Sequence, residues 1–387
     1  MQVYLDNTAT SWPKPNTVVE AISDYLSNYG GSPGRSGHAF ALKAARIVFE
    51  TRELLAEYFN ADSSDRVIFT SNATNASNMA FKGILKKGDH VITSHMEHNS
   101  TIRPLRHLEQ QGIIELTIID CDQNGNIDLD LLKSSFKSNT RLVSTIHGSN
   151  IIGIALPIEK IGALCKSKNI LYHVDAAQTA GFLPIDVQKD NIDILTFTGH
   201  KKLLGPSGTG GIVIRKNIDI DTLIHGGSGS KSESETHPDF YPDKLEAGTP
   251  NTVGITGLKA GIEFILKQGQ QNIINHSQQI TDYFLDSLKD FQELKIHGPG
   301  KEKNILPVIS VTSDLFPPDK LASILDKKYG IMTRSGLMCS PLGHKALGTF
   351  PKGTLRFSPG FFTTKKDIDY TIESLKRIIT NKEYENS

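Results

Sequence analysis

Thr198-Gly199-His200-Lys201-Lys202 follows the apolar run Ile192-Asp193-Ile194-Leu195-Thr196-Phe197. A strand that ends in a small polar residue, a glycine, a histidine and a lysine delivers an amine to the mouth of a sheet. A second apolar run, Ile170-Leu171-Tyr172-His173-Val174, ends at Asp175, with Gln178 one turn further on. An amine and a carboxylate at the carboxyl ends of two strands suit pyridoxal phosphate. The lysine would hold its aldehyde as a Schiff base, and the aspartate would keep its pyridine nitrogen protonated. Gln178 would donate to the ring's phenolate oxygen. Plainer readings stay open: Lys201 as a solvated lysine in a turn, Lys202 in its place, and Asp175 as the N-cap of the next helix.

Other residue sets bear on the same chemistry. Ser71 to Asn78 lies between a strand and a helix, and its small side chains expose the first helical amides to an anion. A phosphate fits at Ala73 and Thr74, although Asn72 or Thr74 can equally act as an ordinary cap. No Gly-Lys-Ser/Thr follows, so this is not a nucleotide P-loop. Thr198 and His200 could hydrogen-bond a phosphate. His95-Met96-Glu97-His98 offers two histidines, but the segment follows a strand and lacks a third ligand, so no metal is expected. His98 reads better as a ring stacked on a planar cofactor, able to shuttle a proton. The glycine-rich Gly205 to Gly211 reads as a structural turn. Cys339 lies in Arg334-Ser335-Gly336-Leu337-Met338-Cys339-Ser340-Pro341, where Arg334 and His344 favour a thiolate; a chance loop thiol is the alternative. Arg356 offers a guanidinium fork to a substrate carboxylate, or else makes a surface ion pair.

The elements around these residues alternate. Strand patterns at 67–70, 90–94, 114–119, 142–146, 170–174, 192–197 and 211–214 are separated by helix patterns at 74–85, 102–111, 129–136 and 158–166. Such alternation predicts right-handed βαβ units, an α/β fold with a mostly parallel central sheet and helices on both faces. In such sheets ligands bind outside the carboxyl ends of the strands, where all the polar residues above fall. The polar stretch 226–235 reads as a mobile loop. Helices at 255–266, 273–288, 319–328 and 366–379 and a strand at 306–312 predict a smaller C-terminal α+β domain. The expected division is a large domain over 12–258 and a small one over 259–387, joined by the N-terminal segment 1–11.

The bulk numbers fit. The chain has 387 residues, and Lys plus Arg equal Asp plus Glu at 42 each, so nothing points to nucleic acid or an anionic membrane. No apolar run approaches the ~20 residues that span a bilayer. The N-terminus lacks a signal-peptide pattern. Three cysteines without CxxC spacing suit a reducing compartment, so the cytoplasm is the default expectation.

Taken together, Tyr4-Leu5-Asp6-Asn7-Thr8-Ala9-Thr10, Met96-Glu97-His98, His147-Gly148-Ser149-Asn150, Val174-Asp175-Ala176-Ala177-Gln178, Thr198-Gly199-His200-Lys201 and Glu246-Ala247-Gly248-Thr249-Pro250-Asn251 resemble the class V aminotransferase-like pyridoxal phosphate enzymes, specifically cysteine desulfurases and selenocysteine lyases. The resemblance runs nearly end to end and implies the type I pyridoxal-phosphate transferase fold. It implies Lys201 as the Schiff-base lysine, Asp175 as the pyridine partner, Gln178 as the phenolate contact and His98 as the stacking histidine. Ala73, Thr74, Thr198 and His200 would hold the phosphate, and Thr249 would reach it across a homodimer interface. Asn150 and Arg356 would bind the substrate carboxylate, and Arg35 and His38 match a partner-subunit segment near the substrate. Cys339 takes the place of the sulfur-accepting cysteine. Its loop lacks the histidines of one branch and is short, as in the branch that needs an activating partner. The implied activity is conversion of L-cysteine to L-alanine with sulfur left as a persulfide on Cys339, for passage to a sulfur-acceptor protein. Selenocysteine lyase, another class V lyase or aminotransferase, and a non-catalytic scaffold or sulfur carrier are the alternatives.

Overall fold

A computed structural model of the chain describes residues 1–34, 36–301 and 305–380. At its centre is a seven-stranded sheet in the order Val67–Thr70, Gly210–Ile214, Ile194–Thr198, Leu171–Asp175, Thr140–Ile146, Asp89–Ser94, Ile114–Ile119. Every pairing is parallel except those of Gly210–Ile214, which runs antiparallel to both neighbours. Its strands are apolar runs because both faces are covered. Successive residues go to opposite cores. Ile92, Val143, Tyr172, Leu195 and Val213 pack on one side with Phe59, Leu258 and Ile262. Val91, Leu142, Leu171, Ile194 and Ile212 pack on the other with Phe81 and Leu105.

The strand order reverses between Thr140–Ile146 and Asp89–Ser94, because Ile114–Ile119 lies outside the pair that brackets it in sequence. That is the switch point at which such sheets open a crevice. The segments leaving these two strand ends are 95–98 and 147–150. Gly199, which follows the strand carrying Thr198, packs so closely that a Cβ there would collide with the Thr209 side chain. The turn that presents His200 and Lys201 therefore needs glycine.

The C-terminal part has its own core and a four-stranded antiparallel sheet, ordered Arg334–Gly336, Thr354–Phe357, Ile309–Ser313, Leu294–His297. Helices Gln270–Leu288, Pro318–Tyr329 and Lys365–Thr380 contribute apolar residues to that core. The N-terminus joins this unit. Val3–Tyr4 pairs in parallel with Ile331–Met332, and Val3 and Leu5 are buried in the same core. Helix Thr252–Gln268 runs unbroken through the expected boundary at 258–259, with Leu258, Ile262 and Ile265 in the large core. The two cores part along the following helix, between Ile273 and Ile280. Among the described residues no helix is long and apolar enough to cross a membrane.

Candidate active site

Asp175 ends one strand and Thr198 ends the parallel strand beside it. Together with the Gly199 turn, this sets Asp175 and Lys201 on the wall of one cavity of about 200 Å³. His98, Ser100, Asn150, Gln178, Thr198 and His200 share that wall with them. The Asp175 carboxylate is buried and accepts from the Ala177 amide at 2.9 Å, with Ser100 Oγ lying 3.3 Å from it and 2.8 Å from His98 Nδ1. Burial outweighs these donors and the nearby Lys201 ammonium, so its pKa is raised. A carboxylate so placed is relieved by a cation brought to it. Burial also pulls the Lys201 amine down to about 8, against the opposing pull of Asp175.

Of the two adjacent lysines, only Lys201 lines this cavity. Lys202 points into a separate small pocket with Asn7, Ser11 and Phe361, its ammonium 5.3 Å from the Phe182 ring centre. The direction of successive side chains on the turn decides between them.

His98 caps helix Asn99–Gln110, and its Nδ1 accepts the Ser100 amide at 3.0 Å. A nitrogen that accepts carries no proton, so the ring proton of neutral His98 sits on Nε2. Burial, then the charges of Lys201, Arg334 and Arg103, lower its pKa to about 4. His98 is therefore a neutral ring whose remaining polar atom is a donor. Its Nδ1 is occupied by the cap, which removes it as a proton acceptor.

At the other end of the cavity begins helix Ala73–Ile84. Asn72 takes the amides of Asn75 (2.9 Å) and Ala76 (3.1 Å), leaving those of Ala73 and Thr74 at the cavity wall. His200 Nδ1 is buried without a partner, and the ring is held neutral, near 4, by burial and then by Lys201 and Lys14. Thr198 Oγ1 donates to the Thr209 carbonyl and keeps its lone pairs. Gln178 Nε2 donates to the Thr8 carbonyl at 3.2 Å, while its Oε1 is buried and unpartnered. A planar cationic ring bearing an anionic group matches this set. It would neutralise Asp175, lie beside His98 and Lys201, and place its anion on the helix amides and His200.

Cys339 is exposed and lies outside the cavity lining, yet a thiolate there would be close enough to stabilise the Lys201 ammonium. Met338 and Cys339 both adopt left-handed backbone, φ 47° and 60°, which residues with a Cβ rarely take. Hydrogen bonds hold the turn there. Asn150 Nδ2 donates to the Met338 carbonyl at 2.7 Å, the Asn99 amide to the Cys339 carbonyl at 2.8 Å, and Ser340 Oγ to Asn150 Oδ1 at 2.8 Å. Arg356 is 2% exposed; it donates to the Asn150 carbonyl at 2.8 Å and pairs with Asp6 at 2.5 Å, and its Nε is buried without a partner. It reaches the cavity wall through the Asn150 carbonyl, and its Nε is the nitrogen left without a partner.

Two expected residues lie elsewhere. Thr249 lines a separate groove of about 560 Å³ with Phe49, Arg52 and Glu246. His38 is exposed and caps helix Ala39–Phe59. Arg35 lies outside the described residues. Reading along the chain assigned no role to Ser100, Ser340, Asp6 or Glu97. Ser100 and Glu97 flank His98, and that proximity was the available signal. Glu97 is buried across the switch point, its Oε1 accepting from Ser94 Oγ at 2.7 Å and from the Ile146 amide at 3.0 Å. Burial, with a smaller push from Asp175, raises its pKa to about 8.

The pattern of the aminotransferase class-V family matches residues 3–371. The chain is similar to the probable cysteine desulfurase of Methanothermobacter thermautotrophicus, 32% identical over 97% of this chain and 94% of that protein. It is also similar to cysteine desulfurase IscS of Dictyoglomus turgidum, 33% identical over 98% and 94% of the two chains. The apo structure of cysteine desulfurase from Thermococcus onnurineus superposes with a TM-score of 0.92, at 30% identity, covering 98% of this chain and 94% of that one.

Proposed function

The chain belongs to the aminotransferase class-V family, and on that premise we propose that it is a pyridoxal-phosphate-dependent cysteine desulfurase, which converts L-cysteine to L-alanine and leaves the sulfur as a persulfide on Cys339. The observation that carries this reading is the placement of Lys201 and Asp175 on one cavity wall, from the ends of neighbouring parallel strands.

Bound there, pyridoxal phosphate supplies an aldehyde for the substrate amine and a ring that takes up the electron pair released at the substrate carbon. Asp175 would hold the ring nitrogen in its cationic form, because burial outweighs the groups that already offset its charge. The Ala73 and Thr74 amides, Thr198 and His200 would hold the phosphate, and Gln178 would contact the ring's phenolate oxygen. Thr249 reaches the phosphate from a second copy of the chain, which makes the working unit a homodimer. Lys201 would anchor the resting cofactor. With its amine pulled down to about 8, part of it is free base at neutral pH, ready to take the substrate's α-proton. His98, on the same cavity wall, would stack on the ring, with Nε2 as its donor. Arg356, with Nε unpartnered, and Asn150 bind the substrate carboxylate. The Cys339 thiolate attacks the substrate sulfur. The S–S bond forms as the carbon–sulfur bond breaks, the electron pair stays with carbon, and two protons complete alanine, one at Cβ and one returned to Cα.

The test uses protein purified with pyridoxal phosphate. Borohydride trapping and peptide mapping are expected to place the label on Lys201, and L-cysteine to give alanine and a persulfide at Cys339. Cys339→Ala is expected to keep the cofactor absorbance and lose desulfuration of cysteine. Undiminished cysteine turnover by Cys339→Ala overturns the sulfur-transfer step. Retained turnover of selenocysteine alone by that variant assigns a selenocysteine lyase instead. A colourless protein that stays colourless with added cofactor returns the scaffold reading.

A further inference from the structure

The carbonyl oxygen of His200, the residue immediately before Lys201, accepts from four donors of the N-terminal segment. These are Lys14 Nζ at 2.8 Å, the Ser11 amide at 3.1 Å, Thr10 Oγ1 at 3.1 Å and Ser11 Oγ at 3.2 Å. Lys14 Nζ also donates to Ser11 Oγ at 2.7 Å, which fixes that hydroxyl's orientation. A carbonyl has two lone pairs, and most backbone carbonyls meet one or two donors. The segment that supplies these four is itself tied down. Trp12 N donates to Asn7 Oδ1, Tyr4 Oη to the Thr10 carbonyl, and Asn7 Nδ2 to the Ser358 carbonyl. On the far side, the Leu204 amide closes on the Lys201 carbonyl at 3.1 Å, and the Gly205 amide on the Gly199 carbonyl at 2.9 Å. The peptide planes before and after Lys201 are thus each held, by segments nearly 200 positions apart.

We propose that Lys14 is a positioning residue for Lys201: its ammonium clamps the His200 carbonyl, so that the peptide plane aims the Lys201 side chain into the cofactor cavity while Lys202 points away. The clamp matters because Lys201 has two tasks, to hold the cofactor and then to reach the substrate's α-hydrogen. Its side chain must swing from a backbone origin that stays still. Without Lys14 the carbonyl keeps the Ser11 amide, Ser11 Oγ and Thr10 Oγ1 but loses its charged donor, the stronger kind. A misplacement of about 1 Å at a reacting group can cost ~100-fold in rate. Beyond the His200 ring, whose pKa its charge helps to lower, Lys14 does not line the cofactor cavity, so its effect should fall on cofactor loading and the chemistry step and spare substrate binding. This inference rests on Lys201 being the reactive amine.

The test compares Lys14→Met and Lys14→Arg with the wild-type holoenzyme. Lys14→Met is expected to lower kcat for L-cysteine by about 10–100-fold with KM within threefold. It should also slow, by a similar factor, the rate at which pyridoxal phosphate added to apoprotein becomes borohydride-fixable at residue 201. Lys14→Arg, which can still donate to the carbonyl, should recover most of both. Wild-type kcat and loading rate in folded Lys14→Met overturn the proposal, as does an Arg variant no better than Met. If Lys14→Met does not fold, Lys14→Gln, too short to bring its amide to the carbonyl, is measured in its place, and an unchanged kcat and loading rate there refutes the proposal equally. A wild-type label at a residue other than 201 defeats the Lys201 reading itself. A correct label with unchanged Lys14→Met kinetics defeats only the clamp.

Discussion

Replacing Glu97 with Gln isolates the cost of keeping a carboxyl group at the switch point. Glu97 is 1% exposed, and its pKa is raised from 4.5 to about 8. Below pH 4.5 the group is protonated in both folded and unfolded chains and contributes no pH dependence. As pH rises from 4.5 towards 8 the unfolded chain loses the proton and the folded chain keeps it, so stability falls by ~1.4 kcal/mol per unit. Above the folded pKa both states are ionised and the loss levels off. Between pH 5 and pH 8 this single group removes about 3–4 kcal/mol from the folded state. Gln keeps an acceptor for Ser94 Oγ and the Ile146 amide and does not titrate. Its second amide hydrogen meets the side that has no partner, a fixed cost of about 1–3 kcal/mol at every pH. Urea unfolding of both proteins at pH 5 and pH 8 measures the difference, and other titrations cancel between them. The variant is expected to be the less stable protein at pH 5 and to gain about 3–4 kcal/mol on the wild type by pH 8. Parallel profiles would refute the reasoning, because they would mean that Glu97 is ionised inside the fold.

Ser340→Ala removes the donor that orients Asn150 over the Cys339 turn. It is expected to slow persulfide formation by about tenfold through misplacement of the sulfur, read by alkylation and mass measurement, with the cofactor absorbance unchanged; an unaltered persulfide rate would show that the turn holds without it. Asp6→Ala leaves the Arg356 guanidinium buried without its counter-ion. An unfolding cost of about 3 kcal/mol and a raised KM for cysteine are expected, with Asp6→Asn between variant and wild type in both; unchanged stability in Asp6→Ala would mean that Asp6 does not carry that charge.

The sheet was legible along the chain because its strands are apolar on both faces and its helices regular. The expected strands at 67–70, 114–119 and 142–146 lie within elements Val67–Thr70, Ile114–Ile119 and Thr140–Ile146. The polar ends of those strands were legible for the same reason, since a carboxylate or lysine closing a buried run has few places to go. Lys201, Asp175, His98, Gln178 and Thr74 therefore meet in one cavity. What the local pattern does not contain is hydrogen bonding between distant segments. The grip of Asn150 on the Cys339 turn joins residues 188 positions apart, and that of Lys14 on His200 spans 186. Arg356 read as a fork for substrate, and the fold adds Asp6 as its resident partner.

The amino-acid sequence by itself determined the chemistry on offer, because residue types at strand ends follow from local periodicity. Only the tertiary structure decided which of two adjacent lysines faces the cavity, which nitrogen of His98 carries the proton and how the sulfur-bearing turn is held. Each of these depends on a donor or acceptor brought from far along the chain, and the direction of a hydrogen bond is settled only when both partners are in place.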